Sequence, residues 1–582
     1  MKLQKAKVAL ALSVAASVLG VTHFANAQTV PHDAVGGCPI APSTVAGFFQ
    51  TPNPSAPQPL NGVVKAADST VSLAPNCGFF QWSEQMFLWM TSPAPAIYGG
   101  GSRIMFSPKF FTVTPEDSSG RRSFIQNSPG LPIRMLLRAT ELGPHGLPAL
   151  LAKSGHVIEV QKAPALTNAP AQIRLQSGAM VRLSDVVRAP NGQLRFLDLK
   201  GKAVTPARLN LPMIKRPMVL VAPGHAVPVV PVQAFQNAIQ ARKLIFHGVP
   251  IFIDPAGNVI DTEQGQADGG VLISQGNSLI YYITVVNDVF AYHRTMQGSA
   301  LIPFNTTLNF PMTAGDASAV AAFAAMKGHT INEPNALAVE SKSSWIEASA
   351  VPDPNDYVRV QAVVPTFDKS NPNLWVPNGQ QTLDLVMIGM HVVGSTNGHG
   401  EMVWATFEHQ GNAPNDTYAY NSSSGPQPHV VPRNTSGSWL FTPSGSAGPF
   451  NSSNASVSGA NIVGSPIGAT MVLRAKPWGM SDGGNPSSIA GINTQVISAN
   501  WSVLSQLNAA DVRSKYFMLG TTWTPFGTPP GAGVGTNHLA NATIETFMQG
   551  ANVSDAGSNC FSCHTTNHVA VSHIYRELKP LP

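Results

Sequence analysis

The chain has 582 residues, a formal charge of +5 and 11% Asp, Glu, Lys and Arg, against about 25% in an average soluble protein. So weak a charge excludes the basic surfaces that bind nucleic acid. With 51 Gly and 49 Pro, the composition points to a turn-rich, mainly β protein.

Lys2, Lys5 and Lys7 precede an uncharged run from Val8 to Val21, and Ala25 and Ala27 flank Asn26. This is the pattern of a secretory signal peptide with an A-x-A site, predicting cleavage after Ala27. Removing residues 1–27 takes away three lysines and no acid, lowering the formal charge from +5 to +2. The apolar run is too short for a membrane span, and no later stretch reaches about 18 uninterrupted apolar residues. A periplasmic or secreted protein without a membrane span is expected. Of the four cysteines, Cys38 and Cys77 stand early and Cys560 and Cys563 late. In an oxidising compartment the early pair is expected to close a Pro-rich loop as a disulfide.

Residues 28–110 read as an extended arm followed by an amphipathic helix. In "CGFFQWSEQMFLWMTSP" the residues Phe79, Trp82, Met86 and Trp89 recur at helical spacing up to a stop near Pro93. Such an aromatic stripe is more often core than the lining of a cofactor. Residues 111–330 form a β-rich region of short strand candidates separated by turns. Hairpins are expected around Pro255 to Asn258 and around Gly276 and Asn277. The acids Asp254, Asp261, Glu263 and Asp268 match no calcium loop and read as turn residues.

A second β-rich block, 331–470, alternates more cleanly. In "MVWATFEHQ" Met402, Trp404, Thr406 and Glu408 share one face, and Val403, Ala405, Phe407 and His409 the other. His391, Glu401, Glu408 and His409 lie in or beside two neighbouring strand candidates. If these pair as a hairpin, an imidazole and a carboxylate meet at one rim, which makes His391, Glu408 and His409 candidate catalytic groups or weak metal ligands. Satisfied polar residues at strand ends are the competing account. Residues 411–465, rich in Asn, Ser, Gly and Pro, read as a surface excursion that buries little.

In the C-terminal region, 471–582, "ATMVLRAKPW" and "YFMLGTTWTP" read as strands and "INTQVISANWSVLSQLN" as a helix. "NATIETFMQG" reads as a short helix with Asn541 as N-cap and Gly550 as stop. It leads into "SNCFSCHTTNH", residues 558–568, where Cys560-Phe-Ser-Cys563-His564 has the C-x-x-C-H form of covalent haem attachment. Each thiol adds across one porphyrin vinyl group, and the adjacent imidazole falls under the iron. A structural zinc site would need further Cys or His ligands and no second C-x-x-C exists, while a thioredoxin-like pair would need a βαβ context.

At these residues the chain resembles the c-type cytochromes, over roughly its last forty residues. The resemblance implies one haem c held by Cys560 and Cys563, with His564 as proximal iron ligand, and a role in electron transfer or oxidoreduction. Small soluble cytochromes c place the motif early and take a methionine ligand far downstream, whereas only 18 residues follow His564 here. A late motif behind a mainly β chain is similar in layout to the β-sheet c-haem proteins, which include hydroxylamine-oxidising cytochromes and their c-prime-beta relatives. In that layout Lys342 is the candidate for a lysine crosslink. Candidates for a sixth ligand are Met548, His568, His573 and Met480.

The expected fold class is therefore mainly β with a few helices, a β-rich α+β chain with the attachment segment docked on a β scaffold. The expected function is a haem-dependent oxidoreductase acting on a small oxidant or organic substrate. The alternative is a non-catalytic electron-transfer protein or binding module that meets a redox partner protein.

Overall fold

A computed structural model describes residues 30–50, 60–114, 121–134, 270–297, 308–458, 461–479, 486–527, 533–536, 538–549, 560–566 and 568–581, together with short strands between 149 and 252. The signal segment 1–27, the Pro255 to Asn258 hairpin, the acids Asp254, Asp261, Glu263 and Asp268, Met480 and Gly550 lie outside the described residues.

The fold is β-rich α+β, built on a twelve-stranded sheet. Its strands are β1 (Phe110–Val113), β2 (Phe124–Gln126), β3 (Ile133–Arg134), β4 (Tyr281–Asn287), β5 (Val339–Glu347), β6 (Arg359–Asn371), β7 (Leu374–Thr396), β8 (His399–His409), β9 (Ala455–Ser458), β10 (Asn461–Gly464), β11 (Tyr516–Trp523) and β12 (Val534–Gly535). The main path runs β2-β1-β4-β5-β7-β8-β11-β12, with β6 and β10 also paired to β7. The segments marked off along the sequence thus share one sheet. Short strands between 149 and 252 form smaller sheets of two to four strands. The expected turn at Gly276 and Asn277 is present, with Asn277 at φ 59° and Ile273 bridged to Leu279.

Helices α1 (Pro42–Phe48) and α2 (Cys77–Met90) come before the sheet strands in sequence. Along α2 the aromatic stripe is core: Phe87 stacks on Phe407 of β8 at 4.2 Å and Phe79 on Trp523 of β11 at 4.2 Å. Each such pair adds about 0.5–1.5 kcal/mol beyond the area it buries. At its first residue α2 is tied back to the arm by the Cys38–Cys77 disulfide, across a sequence separation of 39. A loop of that length restricts the unfolded chain by about 4 kcal/mol on the chain-entropy account.

Two further helices, α3 (Asp288–Met296) and α4 (Ala314–Met326), start on side-chain caps. Asn287 accepts from the Phe290 amide, and Thr313 and Asp316 form a reciprocal capping box. Helix α5 (Pro486–Leu504) and strand β11 follow the sequence pattern. No helix among the described residues is long and apolar enough to cross a membrane.

Two readings are corrected. The Asn/Ser/Gly/Pro-rich stretch 411–465 is not a bare surface excursion, because it buries Trp439, Leu440, Phe441 and Asn451 and supplies the β9–β10 hairpin. Nor does "ATMVLRAKPW" form a strand. Asn451 brackets Leu473 from both sides at 2.8 and 3.0 Å, and the Thr442 hydroxyl does the same for Val472 at 2.5 and 3.0 Å. Side-chain amides and hydroxyls replace the ladder partner there, satisfying buried backbone groups without a strand.

The two faces of the sheet carry different loads. Met390 and Val392 of β7 join the α2 aromatics in the largest apolar cluster. On the other face Val393 and Trp404 belong to a second cluster that includes Phe561, Val569, Val571 and Tyr575. Further along that face, Val386 and Ile388 belong to a third, with Ala542. Between the second and third clusters runs a polar row, because Lys342 of β5, His391 of β7 and Thr406 of β8 stand opposite one another in register.

Candidate functional site

The polar row is covered by residues 541–549. This segment is not the expected short helix; it is a turn that ends in a one-turn 3-10 helix, Thr546–Gln549. Asn541 still caps, since its Oδ1 accepts from the Thr543 amide at 2.9 Å, while its Nδ2 donates to Thr406 Oγ1 at 2.9 Å and to the Phe407 carbonyl at 3.1 Å. The Thr543 and Ser344 hydroxyls meet at 2.6 Å. Gly389 permits this close seating: a Cβ there would lie 2.4 Å from Thr543 Oγ1 and 2.9 Å from Asn541 Oδ1.

From this turn Glu545 reaches the sheet. Its two carboxylate oxygens lie 2.9 and 3.0 Å from His391 Nε2, and one also accepts from the Asn541 amide at 3.0 Å. Burial pushes the Glu545 carboxyl up, but His391, Lys342 and the Asn541 amide outweigh it and hold the group below the usual carboxylate range. The two strand candidates do pair, but the carboxylate that meets His391 is Glu545, from the covering turn and not from either strand.

Glu408 and His409 do not join His391. Glu408 is fully buried, receives Arg474 Nε at 2.6 Å and accepts from the Ala542 amide at 2.6 Å. His409, next along β8, stacks on Tyr357 at 3.9 Å and accepts from the Gly411 amide through Nδ1 at 3.1 Å. Burial holds its ring down to about 3. Glu408 is a satisfied core group, while His409 is buried with no hydrogen-bond partner at Nε2 among the described residues. Glu401 receives the Thr524 hydroxyl at 2.7 Å and pairs with His399 at 2.7 Å, both through Oε1.

Cys560 and Cys563 open and close a single helical turn, α6 (Cys560–Cys563), and the His564 amide continues it by donating to the Cys560 carbonyl at 2.9 Å. Phe561 anchors the turn in the second apolar cluster, leaving Cys560 half-buried and Cys563 exposed. His564 lies 2.7 Å through Nδ1 from the Val571 carbonyl. Only a ring that carries its proton on Nδ1 can make this bond, so Nε2 keeps the lone pair. Chiefly through burial, and then through His573, the ring is held down to about 4 and stays neutral at pH 7. Trp404 covers it at 4.2 Å and His573 stacks on it at 4.0 Å, 19° from parallel.

A neutral imidazole with Nδ1 bound to a backbone carbonyl and Nε2 open is the arrangement metal-ligating histidines use. Beside two cysteines separated by two residues on one turn, this donor set fits a covalent haem. Among the described residues no three His, Cys, Asp or Glu side chains converge as ligands, whereas a structural zinc needs four.

Of the sixth-ligand candidates, His568 is turned to Asn309 Oδ1, and Met548 sits on the 3-10 turn that follows Glu545. His573 stacks on the proximal candidate itself. Lys342 lies over the Tyr282 ring at 5.1 Å. Glu545 is the functional candidate that sequence reasoning missed. Searches with protein-family models, curated proteins and solved structures find no match to this chain.

Proposed function

We propose that this protein is an exported c-type haem protein acting as an oxidoreductase on a small oxidant or organic substrate. Cys560 and Cys563 would hold the haem covalently, and His564 would ligate its iron. One observation carries the reading: next to the two-cysteine turn, His564 is fixed through Nδ1 by Val571, and its Nε2 has no hydrogen-bond partner among the described residues. A haem bound there supplies one-electron chemistry at iron. The chain supplies the rest: Trp404 and His573 fix the plane of the imidazole, and the apolar residues around Phe561 exclude water from one side of the turn.

The His391–Glu545 pair supports an enzyme, because a positioned imidazole and carboxylate can move protons to and from a small substrate. The exposed His573, stacked on His564, supports the carrier as second reading, since it brings the ligand's edge to solvent.

The test is expression in a host competent for cytochrome c maturation, followed by haem staining of the denatured protein. Wild type is expected to stain and C560A/C563A to lose the stain entirely. His564→Ala should keep part of the stain while changing the absorption spectrum. Carbon monoxide binding to the reduced protein separates the two readings, because a catalyst keeps an open iron position and a carrier does not.

A further inference from the structure

His391 and Glu545 lie close to the attachment turn on the same sheet face. His391 stands opposite Thr406, which is two residues along β8 from Trp404, about 7 Å at the usual strand rise. Trp404 in turn touches His564 at 4.2 Å. The charges are felt across this gap: Glu545 helps raise the Cys560 thiol, after burial, and both members of the pair act on the His564 ring. The pair also reaches water, with side chains 16% and 23% exposed.

The charged and titratable groups around it come from every neighbouring element. Strand β5 brings Lys342 and Glu340, and the attachment segment brings Cys560, His564 and His573. On β8 the same face offers Thr406 and Trp404, while Glu408 is already matched by Arg474. Lys342 acts on both Glu545 and Glu340, and Glu340 is held by the Ser572 hydroxyl. Glu340, which burial raises to about 7, is thus a second group of the row able to exchange a proton, and the variants of the bridged His391–Glu545 pair tell the two apart.

Resting on the proposed function, we infer that His391 and Glu545 form a redox-linked proton site. The pair binds one proton from water when an external one-electron donor lowers the positive charge at the attachment centre by one unit, and releases it on reoxidation. One electron in is matched by one proton in, so net charge at this half-buried face is conserved. The physical reason is Coulombic: charges on the same partly buried face interact more strongly than they would in water, so an unmatched electron there is costly.

The experiment is spectroelectrochemistry of the full-length, haem-bearing protein from pH 5 to 9. In wild type the midpoint potential should fall with rising pH by up to about 59 mV per unit, the one-electron equivalent of a tenfold change in proton activity. His391→Gln keeps a hydrogen bond to Glu545 but cannot titrate, and its potential should be flat over the same range. Glu545→Gln removes a negative charge, so its potential should rise and its sloping region should move in pH. A flat wild-type potential, or a His391→Gln slope identical to wild type, overturns the inference. If His391→Gln does not fold, as judged by circular dichroism, Glu545→Gln decides: a moved slope supports the site and an unmoved one overturns it. A preparation without covalent haem removes the functional reading and this inference with it, whereas a haem-bearing one with a pH-independent potential overturns this inference alone.

Discussion

Replacing Arg474 by alanine is expected to destabilise the protein by about 3–5 kcal/mol, the usual result of removing one partner from a fully buried ion pair. Arg474 and Glu408 are both 0% exposed and 2.6 Å apart. The guanidinium also donates to the carbonyls of Ala413 and His409 and to Asn415 Oδ1, and lies over the Phe517 ring. Alanine leaves the Glu408 carboxylate in the core with only the Ala542 amide as a described partner, and takes a donor from the Ala413 and His409 carbonyls, of which His409 keeps the Asn412 amide. Because that amide belongs to the turn that carries Glu545, the lesion should also loosen the His391 contact. Urea denaturation checks this. A loss below about 1 kcal/mol, the size of an exposed pair, would contradict it. Glu408→Gln combined with Arg474→Met should recover part of the loss, since two neutral groups leave no buried charge.

The second large effect is pH-dependent and has the opposite sign. Glu84 lies in α2 at 4% exposure, Oε1 has no hydrogen-bond partner, and burial pushes its carboxyl up to about 8. A carboxyl whose folded value exceeds its unfolded one binds more protons when native. Its contribution is therefore greatest below pH about 4.5 and is lost as pH rises towards about 8. Glu84→Gln is isosteric with the protonated acid and carries no such dependence. Between pH 5 and pH 8 the stability difference should shift in the variant's favour by about 3 kcal/mol, at roughly 1.4 kcal/mol per pH unit. Parallel stability curves for variant and wild type across that range would refute the assignment.

Where a signal is local, the sequence carried it. The helical spacing of Phe79, Trp82, Met86 and Trp89, the alternation along "MVWATFEHQ", the Asn277 turn and the pairing of Cys38 with Cys77 all depend on periodicity or compartment, and all are present. The helix Ala314–Met326 bears a local signal too, in its T-x-x-D start. What escaped is long-range. The Asn-rich stretch reads as solvent-facing, yet Asn412 donates to the Ile388 carbonyl and Asn451 holds Leu473. Composition cannot tell an amide that faces water from one that replaces a strand partner. In the same way, His391 was visible as a polar residue on an apolar strand. Its partner Glu545 lies 154 residues away, in a segment whose pattern suggests only a short helix. Glu408 drew attention because it stands beside His409, but its own partner is Arg474, 66 residues on.

The most direct measurement is mass spectrometry of the denatured, proteolysed protein, produced with cytochrome c maturation in place. The account predicts that the peptide containing Cys560 and Cys563 carries one haem through both sulfurs, and that Cys38 and Cys77 are recovered joined to each other. Recovery of that peptide at its unmodified mass, with Cys560 and Cys563 free or joined in a disulfide, would contradict it.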